Sequence, residues 1–338
     1  MMQKTAQSTT HRELIRYATL APSSHNTQCW KLRLEQDAIS ILPDLERRCE
    51  AVDPDDHHLF VSLGCATENL VLAAESQGLD AVVEFESTLV ESIHITFQQT
   101  QPNTKQTTHS SLFAAIPQRQ STRCEYDGKP LSNQELSSLE KISTGEGVHV
   151  ELFTDRTAIE QVLEYVIQGN SIQLNDLAFV KELKHWIRFS NAEAVKKGDG
   201  LFSRCTGNPS IPRWLGAPLL KLFLTARSEN DKYAKQVRSS AGIAVFSSDA
   251  NDKSHWIAVG RCFQRFALQA TVLGIRTAHI NQPVEVAALR SQFASALGIG
   301  NRRPDLVVRF GHGPLMPRSR RRPVDDVIIS QFPSPLVR

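Results

Sequence analysis

The chain has 338 residues, which at about 150 residues per domain gives two domains or one large one, with a sizeable core in either case. Apolar residues make up 41% and charged residues 22%, the balance of an ordinary globular protein. With 38 Lys and Arg against 36 Asp and Glu the formal charge is +2, too even for a dedicated nucleic-acid or polyanion binder.

At the N-terminus, MMQKTAQSTTHREL lacks the apolar stretch a secretion signal needs. No apolar run approaches the ~20 residues of a membrane span. Six scattered cysteines without a CxxC pair read as reduced thiols rather than a disulfide framework or zinc site. These features predict a soluble cytoplasmic protein. Thr10-x-x-Glu13 has the form of a capping box and predicts a helix to about Leu20. The polar loop APSSHNTQCW (21–30) ends it. Leu32 and Leu34, then Ile39 and Ile41, alternate around a polar turn and predict a hairpin. A helix is expected over about His58–Gln77, with Gly78 as its cap. Strands are expected at Ala81–Phe85 and Ile93–Phe97, and the polar stretch Gln98–Ser110 reads as a linker.

A second capping box, Ser132-x-x-Glu135, follows. Val148–Phe153 alternates as a strand, and helical patterns occupy about Ala158–Ile167 and Asp176–Arg188. Buried strands are expected at Gly242–Ser247 and Asp305–Phe310, with helices over about Ser254–Leu273 and Val284–Leu297 between them. Interleaved helices and strands predict a mixed α and β fold. The breakers between Lys197 and Pro218 argue against a long helix there. Its apolar residues, Phe202 and Trp214 among them, predict a segment that lies down on the protein.

One internal similarity stands out. Ser62–Leu79 aligns without gaps on Ala258–Ile275, placing Gly64 on Gly260, Leu72 on Leu268, Ala74 on Ala270 and Gly78 on Gly274. Any two amphipathic helices share apolar positions, but glycine inside a helix costs ~0.5–1 kcal/mol relative to alanine. Matched glycines therefore suggest two related halves whose long helices pack closely.

Several motifs are absent: there is no P-loop, no nucleophile elbow and no HExxH. Gly298-Ile299-Gly300 lacks the third glycine of a dinucleotide turn. Asp55-Asp56-His57-His58 reads as an acidic helix start, because consecutive side chains do not easily converge on one ion; no metal is expected. Two stretches remain. One is Ala21–Trp30, which on composition is a polar helix-to-strand turn. The other is Arg119-Gln120-Ser121-Thr122-Arg123. In an extended segment its alternate residues face one way, so both guanidiniums and the hydroxyl can meet one phosphate. A solvated basic loop would have the same composition. The arginines at 318, 320, 321 and 322 read as a solvated tail.

These residues carry a resemblance. APSSxNxQxW (21–30), RxSxR (119–123), Gly260–Gly274, NQPVEV (281–286) and RRPVDDV (321–327) together resemble the nitroreductase superfamily. The closer resemblance is to its Acg-like branch, in which one chain holds two nitroreductase-like halves. This implies an α+β, nitroreductase-like fold that mimics the family's homodimer, divided as residues 1–110 and 111–338, with a covering segment near 197–218. It implies one flavin mononucleotide (FMN) per chain. Arg119, Ser121 and Arg123 would hold its phosphate, ribityl chain and ring edge. Pro22, Ser23, Ser24, Asn26 and Gln28 would come from the first half, and Arg320 and Arg322 would add phosphate contacts.

The implied activity is transfer of electrons from NADH or NADPH, through FMN, to a nitroaromatic or quinone-like small molecule. The flavin would carry the chemistry, so no catalytic side chain is expected. A monomer is possible, since the dimer-like interface is internal. Cys29 replaces the proline that usually precedes the tryptophan, and the Glu-Gly pair that meets the flavin in many nitroreductases has no match. The alternative is an FMN-binding or sequestering protein with little reductase activity, acting in a stress response.

Overall fold

The computed structural model describes residues 11–87, 90–99 and 106–330. A helix, α1, covers residues 11–18; its expected cap, Thr10, lies outside the described residues. The hairpin forms as β1 (Trp30–Leu34) and β2 (Ala38–Pro43), pairing Leu32 with Ile41 and Leu34 with Ile39. The long helix α2 spans His57–Glu75 and leads into the antiparallel strands β3 (Leu79–Glu86) and β4 (Ser92–Gln99).

The expected linker is corrected over the residues described. Strand β4 runs through Gln99 and α3 begins at Gln106, ending at Ala115; residues 100–105 lie outside the described residues. The first turns of α3 are polar, and the apolar side chains that dock it, Leu112, Ala115 and the following Ile116, sit at its far end. The hydrophobic period therefore begins too late to mark the helix start.

Next come α4 (Asn133–Ile142), β5 (Val148–Phe153), α5 (Arg156–Asn175) and α6 (Leu177–Trp186). The capping box of α4 is complete, the Ser132 hydroxyl accepting from the Glu135 N–H and the Glu135 carboxylate from the Ser132 N–H. After these lie β6 (Ile187–Arg188), α7 (Asn191–Lys197), β7 (Leu201–Phe202), α8 (Arg213–Phe223) and α9 (Ala226–Arg238). Then come β8 (Gly242–Ser248), α10 (Lys253–Val272), β9 (Arg276–His279), α11 (Gln282–Glu285), α12 (Ala287–Ala296), β10 (Arg303–Gly311) and β11 (Ile328–Ile329). The fold is α+β. No helix among the described residues is long and apolar enough to cross a membrane.

One sheet has the order β11-β1-β2-β4-β3 and the other β5-β8-β10-β9. The C-terminal β11 returns to pair in parallel with β1. Between the sheets α2 and α10 pack on each other, and one core runs through both sheets and both helices. Their crossing depends on two glycines. A methyl group on Gly64 would sit 2.1 Å from the Ile257 carbonyl oxygen, and one on Gly260 would sit 2.0 Å from that of Val61. Any side chain there would drive the helices apart.

The segment after Lys197 is only partly as expected. Phe202 is buried, but Arg213–Phe223 is a helix that holds Pro218 inside it, giving up one backbone hydrogen bond. Trp214 is 76% exposed, so it anchors nothing. Gly216 sits against Phe189 instead, and the helix turns that side inward.

Candidate functional site

The loop after α1 is held in an unusual backbone path. His25, Asn26 and Gln28 all have positive φ, near 50°, a region costly for residues with a Cβ unless the surroundings fix it. The Ser23 hydroxyl accepts from the Gln28 N–H at 2.8 Å. Asn26 Nδ2 donates to the carbonyls of Gly200 (3.0 Å) and Arg320 (3.1 Å). Gln28 Nε2 donates to the Gly198 carbonyl (2.9 Å), and its Oε1 accepts from the Arg322 N–H (2.8 Å). Both side chains therefore tie this loop to the 198–200 turn and to the C-terminal segment. Gly200, with φ +74°, cannot be replaced in that turn: a Cβ would meet the Trp186 carbonyl at 2.4 Å.

The second segment runs along the edge of β9. Ser121 bridges to Thr277, and the Thr122 N–H donates to the Thr277 carbonyl at 2.9 Å. From beneath, the fully buried Arg309 donates to the carbonyls of Thr122 (3.1 Å), Cys124 (2.8 Å) and Gln236 (3.2 Å) and stacks on Tyr126. The backbone is thus fixed where Arg119, Ser121 and Arg123 face a space of about 140 Å³ that Pro22 and Ser23 close from the loop side.

Two further arginines line this space: Arg318, exposed and donating to the Pro117 carbonyl, and Arg321. Arg321 donates to Asn26 Oδ1 (2.9 Å) and to the carbonyls of Thr19, Leu20 and Ala21. Arg320 is exposed, and Arg322 points to Asp44 and to the carbonyls of Gln28 and Asp326. Neither lines the space. Among the described residues no carboxylate pairs with Arg119, Arg123 or Arg321. Burial pushes Arg119 down to about 10, with Arg123 adding to the shift, and Arg321 down to about 9, with Arg119 adding. Arg123 is lowered as well, again by burial. Arg119 Nε has no partner. Arg119 is buried and Arg123 and Arg321 are half-buried, so cations that repel one another, with no carboxylate beside them among the described residues, favour an anion in this space.

This space opens past Pro22, Ser23, Arg123 and Leu201 into a cavity of about 1110 Å³, at the large end of small-molecule sites. His25 and His279 stand on its wall with His25 Nε2 and His279 Nδ1 unpartnered, as is Gln282 Oε1. Burial lowers His25 to about 4 and His279 to about 3, with Arg123 adding to both. Glu285, bonded to Gln173 at 2.6 Å, is raised by burial. Of the residues singled out in the sequence, Pro22, Ser23, Arg119, Ser121 and Arg123 meet at the small space, with Asn26 at its edge. Ser24 faces the large cavity, and Gln28 faces neither. Arg321, His279 and Gln282 come from the tertiary structure; the run of arginines and the Asn281-Gln282 pair were visible, but the orientation of their side chains was not.

Fold and site together define an α+β protein with an arginine-lined pocket beside a cavity of about 1110 Å³. No family model matches the chain. It is similar over 336 residues, at 24% identity, to a Mycobacterium tuberculosis protein named "Putative NAD(P)H nitroreductase Rv3131", covering 97% of this chain and 93% of that one. The M. tuberculosis protein that bears the same name with the designation acg is 22% identical over 322 residues, 94% of each chain. The resemblance carried by the short motifs thus extends to relatives over the whole chain. Among solved structures, the FMN-dependent nitroreductase NfnB of Mycobacterium smegmatis, in complex with NADPH, aligns with a TM-score of 0.41 and 12% identity, covering 66% of this chain and 98% of that one. A nitroreductase of Desulfovibrio desulfuricans in complex with FMN aligns with a TM-score of 0.40 and 14% identity, covering 68% and 100%.

Proposed function

We propose that the chain is an FMN-dependent oxidoreductase of nitroreductase type, taking electrons from NADH or NADPH and passing them to a nitroaromatic or quinone-like acceptor. The observation that carries this reading is the cluster of Arg119, Arg123 and Arg321, wholly or half buried beside a large cavity and, among the described residues, without a carboxylate. A phosphomonoester with a flat ring attached fits both halves of that description. The names borne by the relatives support the same choice.

Arg119, Arg123 and the Ser121 hydroxyl would hold the phosphate through charge-assisted hydrogen bonds, while Arg321, whose N–H groups already bond Asn26 and backbone carbonyls, would add its charge. Pro22 and Ser23 would close over it. Arg123 lines both spaces, so its fixed charge favours negative charge at the ring end as well. Ser24, His279 and Gln282 would face the ring system. FMN bound there would supply the hydride chemistry. Burial keeps His25 and His279 neutral, and each presents an unpartnered ring nitrogen to the cavity. Glu285 is held toward its protonated form on the same wall.

The two long helices and their facing glycines support a division into related halves, residues 1–110 and 111–338, that together build one site, so that a monomer suffices. Residues 197–218 would cover the cavity, because Leu201, Ser203, Asn208 and Ile211 line it; Phe202→Ala should then speed flavin reduction. The deciding experiment is anaerobic mixing of the purified yellow protein with NADH or NADPH. Bleaching, followed by reoxidation on adding a quinone or nitroaromatic, is the expected result. Protein with bound FMN that no nicotinamide donor bleaches would make this a flavin-binding protein instead.

A further inference from the structure

The first turn of α2 gathers potential metal ligands that the flavin reading does not use. Asp53, His57 and His58 are all buried, at 3%, 1% and 4% exposure. One ligating atom of each lies within 4.8 Å of the other two. Consecutive residues on a helix diverge by about 100°, the reason Asp55-Asp56-His57-His58 reads as a solvated helix start. The structure answers that objection with a different third residue. Asp56 adopts φ 60°, and the chain turns so that the Asp53 carboxylate comes back onto the helix start, accepting from the N–H groups of His58 (3.0 Å) and Leu59 (2.9 Å). The His57 and His58 rings lie side by side, centroids 4.5 Å apart.

Asp305 on β10 orients both rings. Its carboxylate lies 2.9 Å from His57 Nε2, and its backbone carbonyl lies 3.2 Å from His58 Nε2. A carbonyl only accepts, so His58 Nε2 carries the hydrogen and a neutral ring keeps its lone pair on Nδ1. That Nδ1 is 3.7 Å from Asp53 Oδ1, beyond hydrogen-bonding reach. His57, held through Nε2, has its Nδ1 buried with no partner. The His57 Nδ1 lone pair is thus buried without a partner beside His58 and the Asp53 carboxylate, whose oxygens accept from two helix N–H groups.

We propose that Asp53, His57 and His58 bind a divalent transition-metal ion, zinc by the chemistry of the set. Two imidazole nitrogens and one carboxylate oxygen are a zinc-type donor set that leaves a fourth position open. An acidic residue holding the far nitrogen of a ligating histidine, as Asp305 does, is the usual way such a ring is aimed. His58 also lines the large cavity, which provides the entry path and a place for a water or substrate atom. The site shares no residue with the arginine pocket.

The test uses the full-length, tag-free chain, stripped with a chelator and titrated with Zn²⁺ by calorimetry, with bound zinc measured after dialysis. One zinc per chain is expected, together with a rise in melting temperature. Asp53→Asn keeps an oxygen for one of the two helix N–H groups, and it and His58→Gln should abolish stoichiometric binding. Asp305→Asn should weaken binding about 10–100-fold, as for other groups that orient a metal ligand. Failure of the parent protein to retain zinc would overturn the site. So would Asp53→Asn and His58→Gln variants that bind it as the parent does. Should either variant fail to fold, the parent's stoichiometry and the Asp305→Asn affinity decide.

Discussion

Two groups of buried and half-buried arginines are satisfied in opposite ways. Arg188 and Arg47 share Asp199: Arg188 donates from Nε and Nη2 at 2.9 and 2.7 Å, and Arg47 binds the other carboxylate oxygen. Among the described residues Arg119, Arg123 and Arg321 have no carboxylate, only backbone carbonyls, the Asn26 side chain and one another. Taking a guanidinium out of water costs several kcal/mol unless an opposite charge offsets it. In the first group that charge is built into the chain. In the second no such charge stands beside the guanidiniums among the described residues, and a bound anion would supply it. Paired cations hold segments together; unpaired ones at a cavity mark what the cavity is for.

The largest effect should come from breaking the paired group. Asp199→Ala leaves Arg188 buried with only backbone carbonyls for partners, and the loss of stability should be about 3–5 kcal/mol, read from denaturant unfolding. Little change there would mean that water reaches Arg188 and that the contrast is false. In the unpaired group the same kind of change should act on binding. Arg119→Ala should weaken FMN affinity by one to two decades, about 1.5–3 kcal/mol, with little change in the stability of the flavin-free protein, whereas Arg321→Ala should also destabilise it by releasing the carbonyls of Thr19, Leu20 and Ala21. Both effects are separable by titrating flavin fluorescence and melting the apoprotein. Variants as yellow as the parent would place the phosphate elsewhere.

A smaller effect concerns pH. His279 is held to about 3 in the fold against an ordinary value near 6.5, so the unfolded chain takes up the proton first. Its contribution to stability is complete above pH 6.5 and falls away as the pH drops toward 3, by at most ~1.4 kcal/mol per pH unit. Comparing the flavin-free parent with His279→Gln between pH 7 and 5 isolates this term. The parent should lose stability faster, and parallel curves would show that the ring is already solvated. Smallest of all, millimolar sulfate should stabilise the apoprotein by about 1 kcal/mol through the arginine pocket, and Arg119→Ala should lose most of that gain. Equal stabilisation in both would assign it to the general salt effect.

The sequence alone determined the parts of this protein that are local. Hydrophobic period and capping chemistry located the β1–β2 hairpin, both long helices, the Ser132 cap and the buried strands β8 and β10, because each depends on side chains a few residues apart. The glycine pair was legible for the same reason: a helix tolerates Gly64 or Gly260 only where something presses against it. The RxSxR pattern placed two cations and a hydroxyl on one edge. What the sequence left open was decided at long range. Alternation could not say which of Arg320, Arg321 and Arg322 turns inward, since either parity fits an extended chain; the carbonyls of Thr19, Leu20 and Ala21 choose Arg321. Asn26 and Gln28 read as ligand contacts, yet their hydrogen bonds run to residues 198–200 and 320–322. Trp214 looked like an anchor until Pro218 proved compatible with a helix whose other face packs. Whether a buried charge is a strut or a site depends on what stands opposite it, and that neighbour is supplied by a distant part of the chain.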